Sequence, residues 1–263
     1  MTDDKSTISV ATWNVNSLKQ RVDHLVNWTR ATQPDVILLQ ELKCIEDNFP
    51  RLEVEAAGYR WAAVGQKSYN GVAILSRSEI SVVATALPGN EDDTQARYIE
   101  ADTFGLRVAS IYLPNGNPVD TEKYDYKLTW MDRLSAHAKS LLALERAVVL
   151  GGDYNCIPSE DDVHDPGRFR DDALFRLETR SRFRSMLNLG YTEAWRALHS
   201  EKHVYSYWDY GAAFRNDDGL RIDHLLLSPH AADRLERCEI DTTPRGWDRA
   251  SDHTPVVCEL SRD

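Results

Sequence analysis

AVVLGGDYN, residues 147–155, is the stretch on which the fold turns. It opens on a continuous apolar run, passes through two glycines and ends on an acid and an amide. A short unbroken apolar run reads as a strand covered on both faces. The same grammar recurs in ISVATWNV (8–15), VILLQ (36–40), GVAILS (71–76), ISVVAT (80–85), RYIEAD (97–102), LRVASIYL (106–113), RIDHLLLS (221–228) and TPVVCEL (254–260). Several of these alternate with a period of two, and others are apolar throughout. Helical periodicity lies between them. Leu18, Val22, Leu25 and Trp28 recur at helical steps. Leu128, Met131, Leu134, Ala138 and Leu141 do the same behind Asp120, a possible N-cap, and a third helix covers roughly 173–188. Nine strands with few, separated helices predict an α/β protein: a four-layered α/β sandwich, two packed mixed β-sheets with helices outside. One domain over residues 1–263 is expected, with 1–6 as a loose tail.

The chain's 263 residues suffice for a sizeable core, and 42 % hydrophobic with 28 % charged residues is an ordinary globular composition. No run approaches the ~18 apolar residues of a membrane span, and the opening MTDDKST is no secretory signal. A cytoplasmic protein, without membrane partners, is expected. Cys44, Cys156, Cys238 and Cys258 are far apart, so neither a zinc nor a redox spacing appears, and buried reduced thiols are expected. The net charge of −11 argues against a polyanionic partner for the chain as a whole. It says nothing about one face. Between Pro166 and Arg184 six arginines stand against Asp171, Asp172 and Glu178, which is either a basic patch or a solvated face of mixed charge.

Polar residues sit where the apolar strands end: Asn14 and Asn16, Glu41, Tyr112, Asp153 and Asn155, Asp223, and Asp252 with His253 in SDHTP (251–255). Singly, each is ordinary turn or surface chemistry. Together they fall where strand ends of packed sheets converge on one rim. Adjacent residues in a strand face opposite ways, so Asp252 and His253 can both be functional only at the strand's mouth, serving different partners. Glu41, Asp153 and Asp252 would repel one another without a cation among them. Hard oxygen donors select Mg²⁺, with Mn²⁺ as substitute, over zinc or copper. The reaction class that follows is metal-assisted hydrolysis of a phosphate ester.

WNVNSLKQR, PDVILLQELK, NGVAILSR, YLPNG, GGDYN, YSYWDY, GLRID and SDHTPV together resemble the exonuclease III-like abasic-site endonucleases, a branch of the DNase I-like superfamily. The matches run in order from residue 12 to 260. Glu41, Asp153–Asn155 and Ser251–His253 are general to the superfamily, while YSYWDY and GLRID are narrower. The resemblance implies a Mg²⁺-dependent DNA-repair phosphodiesterase that cuts duplex DNA 5′ to abasic sites and leaves a 3′-hydroxyl, with 3′-exonuclease and 3′-phosphatase activity possible at the same site. It implies Glu41 as a direct metal ligand, with Asn14, Asn16, Asp153, Asn155, Asp252 and His253 around the ion. Asp153 would position or deprotonate the attacking water. Asn155 would bond the water or the phosphate, Tyr112 would present its hydroxyl to the phosphate, and His253 would contact it, oriented by Asp223.

Tyr207, Leu220 and Ile222 would line a pocket for the flipped sugar, with Trp208 behind, and Arg97, Lys123, Arg215 and Arg221 would contact phosphates. The resemblance departs at Ala250, where many relatives carry proline. Residues 159–184 could set endonuclease against 3′-exonuclease preference, and His164 there reads first as a turn cap and alternatively as a residue facing the substrate. The partner is double-stranded DNA with abasic sites or 3′ ends, and the protein a monomer. Other readings keep the chemistry on 3′ ends alone, move it to a lipid or inositol phosphate, or leave a catalytically dead DNA-binding scaffold.

Overall fold

The computed structural model describes residues 6–262. Of the expected tail only Ser6 falls within them, and its carbonyl accepts the N–H of Arg262. Fourteen strands form: β1 (Thr7–Asn14), β2 (Val36–Gln40), β3 (Arg60–Val64), β4 (Val72–Ser76), β5 (Ser81–Ala84), β6 (Tyr98–Thr103), β7 (Leu106–Tyr112), β8 (Val148–Asp153), β9 (Thr192–Glu193), β10 (Tyr207–Trp208), β11 (Gly219–Leu220), β12 (Asp223–Leu227), β13 (Leu235–Ile240) and β14 (Val256–Ser261). All nine strands expected from sequence are present. The others are short or lie at sheet edges, where polar, non-alternating sequences such as LERCEI of β13 give no periodic signal.

Two six-stranded sheets result, in the orders β13-β14-β1-β2-β4-β3 and β5-β6-β7-β8-β12-β9, with β10 and β11 as a separate hairpin. Each has one parallel pair at its centre, β1 with β2 and β7 with β8, flanked by antiparallel neighbours. The alternation inside these strands sorts three cores. Val10, Val36, Leu38, Val108, Val149 and Leu225 face the space between the sheets. Ala11, Trp13, Ile37 and Leu39 face outward onto helix Leu18–Thr32 through Leu18, Leu25 and Trp28. On the other sheet Ile111, Val148 and Leu150 meet Trp130, Met131 and Leu134 of helix Glu122–Leu142 and Phe183 and Met186 of helix Leu177–Asn188. Helix, sheet, sheet, helix are the four layers.

The two glycines of β8 are required by this packing. A Cβ on Gly151 would stand 2.6 Å from a methyl of Leu38 in the opposite sheet, and one on Gly152 would stand 1.9 Å from the carbonyl oxygen of Ile111. The central strand can therefore carry Asp153 to the rim only through residues without side chains.

Two local expectations are corrected. Asp120 does not cap helix Glu122–Leu142: it has φ +63°, and Thr121 occupies the N-cap without a side-chain bond. On that helix Leu128 is half-buried, while Lys127, one residue earlier, is fully buried. The helix expected near 173 starts at Leu177. All four cysteines are buried and free. Among the described residues, no helix is long and apolar enough to cross a membrane.

Candidate active site

The C-terminal ends of β1, β2, β7 and β8 and the start of β12 meet at one rim because the parallel pairs run the same way and β12 runs against β8. Register does the fine placement: Tyr112 is paired with Asp153 across β7 and β8, and Asp153 with Asp223 across β8 and β12. Just beyond the strand ends the chain turns through left-handed backbone at Asn16, Ser17, Glu41, Lys43 and Asn155, with φ between +43° and +87°. Such conformations in residues other than glycine cost energy and cluster where side chains must be aimed.

Asn14 lies between two acids. Its amide nitrogen donates to Oε1 of Glu41 at 2.9 Å and to Oδ2 of Asp153 at 3.0 Å. The Tyr112 hydroxyl donates to the same Glu41 oxygen at 2.9 Å, and Lys43 pairs with Oε2 at 2.7 Å. Burial alone would raise the Glu41 pKa, but the Asn14 and Lys43 contacts outweigh it and hold the carboxyl below its usual range. Asp153 is buried and pushed up to about 7, chiefly by burial, with His253 opposing and Asp223 adding to the shift.

His253 donates from Nδ1 to Asp223 at 2.8 Å, and its Nε2 stands 3.7 Å from Oδ2 of Asp153. Burial disfavours its charge, yet the carboxylates of Asp223 and Asp153 overcome this and raise it to about 10. Ligand atoms of Glu41, Asp153 and His253 all lie within 4.8 Å of one another. Two carboxylates and an imidazole at that spacing fit a divalent cation.

The strand β14 starts at Val256, so Asp252 and His253 precede it and strand alternation does not separate them. They serve different partners. Asp252 accepts from the Asn16 amide at 3.0 Å, and His253 serves Asp223. The loop before them is held by Arg21, whose guanidinium donates to the carbonyls of Asn16, Arg249 and Ala250. Ala250 is buried, and its carbonyl is fixed by that bond. The expectation of three convergent carboxylates is modified, because Asp252 stands toward Asn16 and His253 takes the third place beside Glu41 and Asp153. Asn16 also accepts from Lys43. Both ends of the Asn155 amide are engaged: its nitrogen donates to the Leu113 carbonyl at 2.9 Å, and its oxygen accepts from Asn115 at 3.1 Å.

These residues open on a cleft of about 580 Å³. Tyr207, Leu220, Ile222, Leu174 and Phe169 form its apolar wall, with His164, Arg168, Asp209 and Tyr210 among the polar lining. The Tyr207 ring meets that of His253 edge to face, with centroids 4.9 Å apart. Trp208 is buried behind, its indole donating to Asp217 at 2.9 Å. His164 sits at a bend and also lines the cleft, with its Nδ1 bonded to the Gly219 carbonyl, so both readings offered for it have a place in the structure. Arg97 and Lys123 line an adjoining hollow of about 410 Å³ that shares Asn115 and Asn117 with the cleft. Arg215 is exposed on the short helix Ala213–Asn216 beside it.

Arg221 is the exception. It is 2 % exposed, with its guanidinium on Asp162 at 2.8 Å and Glu193 at 3.0 Å, so it ties buried chain segments together and is not available to a phosphate.

Sequence reasoning missed four contributors. Lys43 pairs with Glu41, and Arg21 fixes the Arg249–Ala250 loop. Lys127, fully buried and lowered to about 8 by burial, donates to the carbonyls of Asn115 and Asn155. Ser206, also fully buried, donates to Oδ2 of Asp223 at 2.6 Å and accepts the N–H groups of Ile222 and Asp223. The first two sit inside motifs already quoted, QELK and LKQR, and so carried a signal. Ser206 sits inside YSYWDY and carried one too, while a lone Lys in a helix carries none.

The profile of the Endonuclease/Exonuclease/phosphatase family matches residues 11–253, the span between the first strand and His253. The chain belongs to that family. Exodeoxyribonuclease III of Haemophilus influenzae is 31% identical, over 94% of this chain and 98% of that protein. An AP endonuclease from Archaeoglobus fulgidus superposes with a TM-score of 0.93 at 32% identity, covering 96% of this chain and 99% of that one. The 3′ phosphatase NExo from Neisseria, bound to a product DNA hairpin, does so at 0.94 and 37% identity, covering 97% and 100%. Within the family this protein is of the exonuclease III and AP endonuclease type, a hydrolase of phosphate esters, and the two mixed sheets with helices outside are the DNase I-like fold.

Proposed function

We propose that this protein is a Mg²⁺-dependent DNA-repair phosphodiesterase that acts on duplex DNA at abasic sites and 3′ ends, as a cytoplasmic monomer. The observation that carries the reading is the meeting of Glu41, Asp153 and the Asp223–His253 pair at the floor of a cleft with an apolar wall. Glu41 and Asp153 would hold the ion, with Asn14, Asn16, Asn155, Asp252 and His253 around them. A bound Mg²⁺ supplies Lewis-acid polarisation of the phosphoryl oxygen and offsets its developing negative charge.

The chain's own groups do the rest. With Nδ1 committed to Asp223, His253 has Nε2 left for a phosphate oxygen. Asp153, beside it, orients the attacking water and takes its proton. The Tyr112 hydroxyl, on giving up its bond to Glu41, and the second N–H of the Asn155 amide would complete the contacts to the phosphate, with the backbone of Asn155 held by Lys127. Tyr207, Leu220 and Ile222 receive a sugar that has no base, which leaves the stack at lower cost than a normal nucleotide. Arg97, Lys123 and Arg215 are placed for neighbouring phosphates.

A second reading, mainly 3′-end processing with weak abasic-site cutting, is favoured by one feature. His164, Arg168 and Phe169, from the segment 159–184, line the cleft at its apolar wall. The similarity to a 3′ phosphatase points the same way. A 5′-labelled duplex with one central abasic site, incubated with Mg²⁺ or with EDTA beside duplexes ending in a recessed 3′-hydroxyl or 3′-phosphate, separates the two. A single Mg²⁺-dependent nick supports abasic-site cutting. Shortened or dephosphorylated 3′ ends with an intact abasic strand support the second reading. No Mg²⁺-dependent change in any duplex rejects both.

A further inference from the structure

Of the six arginines in the basic stretch of the sequence, Arg168 alone lines the cleft among the described residues. Among the described residues, only Arg182 of the six has a close acidic partner, Asp132 at 2.7 Å, while Arg176 comes no nearer than 4.0 Å to the exposed Asp171. Arg176, Arg180 and Arg184 follow one another at steps of four along helix Leu177–Asn188, counting Arg176 as its N-cap. Steps of four keep them on one side over about 12 Å of axis.

Nε of Arg176 and Nε of Arg180 are buried without a partner. The Arg180 guanidinium lies 4.3 Å from the Phe175 ring and lines a hollow of about 260 Å³ together with exposed Arg170. That hollow abuts the cleft through the turn Pro166–Phe169, whose Arg168 and Phe169 line the cleft wall. Of the acids in this segment, Asp161 pairs with Lys202, Asp162 with Arg196 and Arg221, Asp165 caps the short helix Pro166–Phe169 and Asp172 accepts from Asn117. That leaves Glu160, Asp171 and Glu178 against Arg170, Arg176, Arg180 and Arg184.

We propose that this row is a track for the phosphate backbone of duplex DNA leaving the cleft. The inference rests on the DNA reading given above. The chain carries a net charge of −11 and repels a polyanion as a whole. Unpaired cations gathered beside the cleft reverse that sign locally and steer the duplex to it. A DNA strand carries a phosphate about every 3.4 Å of axis, so about 12 Å of helix spans several.

The test is the salt dependence of binding. Anisotropy of a fluorescent abasic-site duplex is followed over a KCl series with EDTA present, and log Kd is plotted against log[KCl]. Each phosphate contact contributes about 0.9 to the slope. The triple variant Arg176→Gln, Arg180→Gln, Arg184→Gln is expected to lower the slope by roughly 2 to 3, with kcat on saturating DNA unchanged. The corresponding Arg→Lys triple keeps the charges and is expected to keep the wild-type slope. A folded Gln triple with the wild-type slope overturns the track and leaves a solvated helix face. If losing the Phe175 stack prevents folding, the exposed pair Arg170→Gln, Arg184→Gln replaces it: a slope lower by roughly 2 supports the track, and an unchanged slope overturns it. Failure of the unaltered protein to bind or cut any duplex would overturn the DNA reading itself, a result distinct from an unchanged slope.

Discussion

His253 Nδ1 sits 2.8 Å from Asp223 Oδ2, both side chains buried, and this contact ties the loop before the last strand to the first residue of β12. It fixes which imidazole nitrogen faces the cleft. Replacing Asp223 with Asn removes the charge that holds the ring and its proton. Turnover on an abasic-site duplex is expected to fall ~10²-fold or more, with DNA affinity changed little. His253→Ala should behave alike. Steady-state kinetics and binding by anisotropy decide this, and equal losses in kcat and affinity for either variant would reduce the pair to a binding element.

Glu41 receives bonds from Asn14, Tyr112 and Lys43 at the floor of the site. Glu41→Ala is expected to lose roughly 10²- to 10³-fold in turnover, the worth of several kcal/mol of charge stabilisation. High Mg²⁺ or Mn²⁺ should restore part of it, and EDTA should silence the wild type. Full activity of the variant at ordinary Mg²⁺ would remove Glu41 from the metal site.

Ser206 reaches the reaction only through Asp223, which it holds by a 2.6 Å bond while its oxygen takes two backbone N–H groups. Ser206→Ala should lower kcat about tenfold with KM unchanged, the loss expected when a carboxylate's hydrogen bond, worth roughly 1.5–3 kcal/mol, is partly replaced. Ser206→Thr keeps the hydroxyl and should recover most of it. In an Asp223→Ala background the Ser206→Ala change should cost almost nothing further. Additive losses would show a purely structural role.

Glu100 lies far from the cleft chemistry, at the meeting of β6, β7 and helix Glu122–Leu142. It is 1 % exposed and accepts from Arg107 at 2.5 Å, Tyr98 at 2.6 Å and His137 at 2.7 Å. Burial works against its charge, but the bonds from His137, Tyr98 and Arg107 outweigh it and draw its pKa from 4.5 to about 2. A folded-state pKa below the unfolded one adds stability above the unfolded value, and that stability is lost as pH falls through the folded value. Melting temperature should therefore drop between about pH 4.5 and 2, and Glu100→Gln should flatten that drop. A variant with the wild-type acid profile would assign the acid loss to other carboxylates.

The layers were legible because period-two apolar runs and helical runs each report a local rule of the chain. VILLQ and LRVASIYL needed no partner to be read as strands. Two edge strands escaped for local reasons: a register shift between Leu235 and Arg237 breaks the alternation of β13, and β3, RWAAV, is half-buried at every position after Arg60. The site followed the same division. Glu41, Asp153, Asp223 and His253 stand at strand ends or inside recurrent motifs, so residue type and position named them.

The sequence by itself named the candidate donors, nine of the fourteen strands and the family. Only the tertiary structure decided the partners. Arg221 and Ser206 are neighbours of site residues in the chain, yet burial sends one guanidinium to Asp162 and Glu193 and one hydroxyl to Asp223. The cause is that a buried polar group must be satisfied by whatever packing brings within about 3 Å. That geometry depends on the stacking of two sheets whose contacting residues are far apart in the chain, such as Leu38 against Gly151.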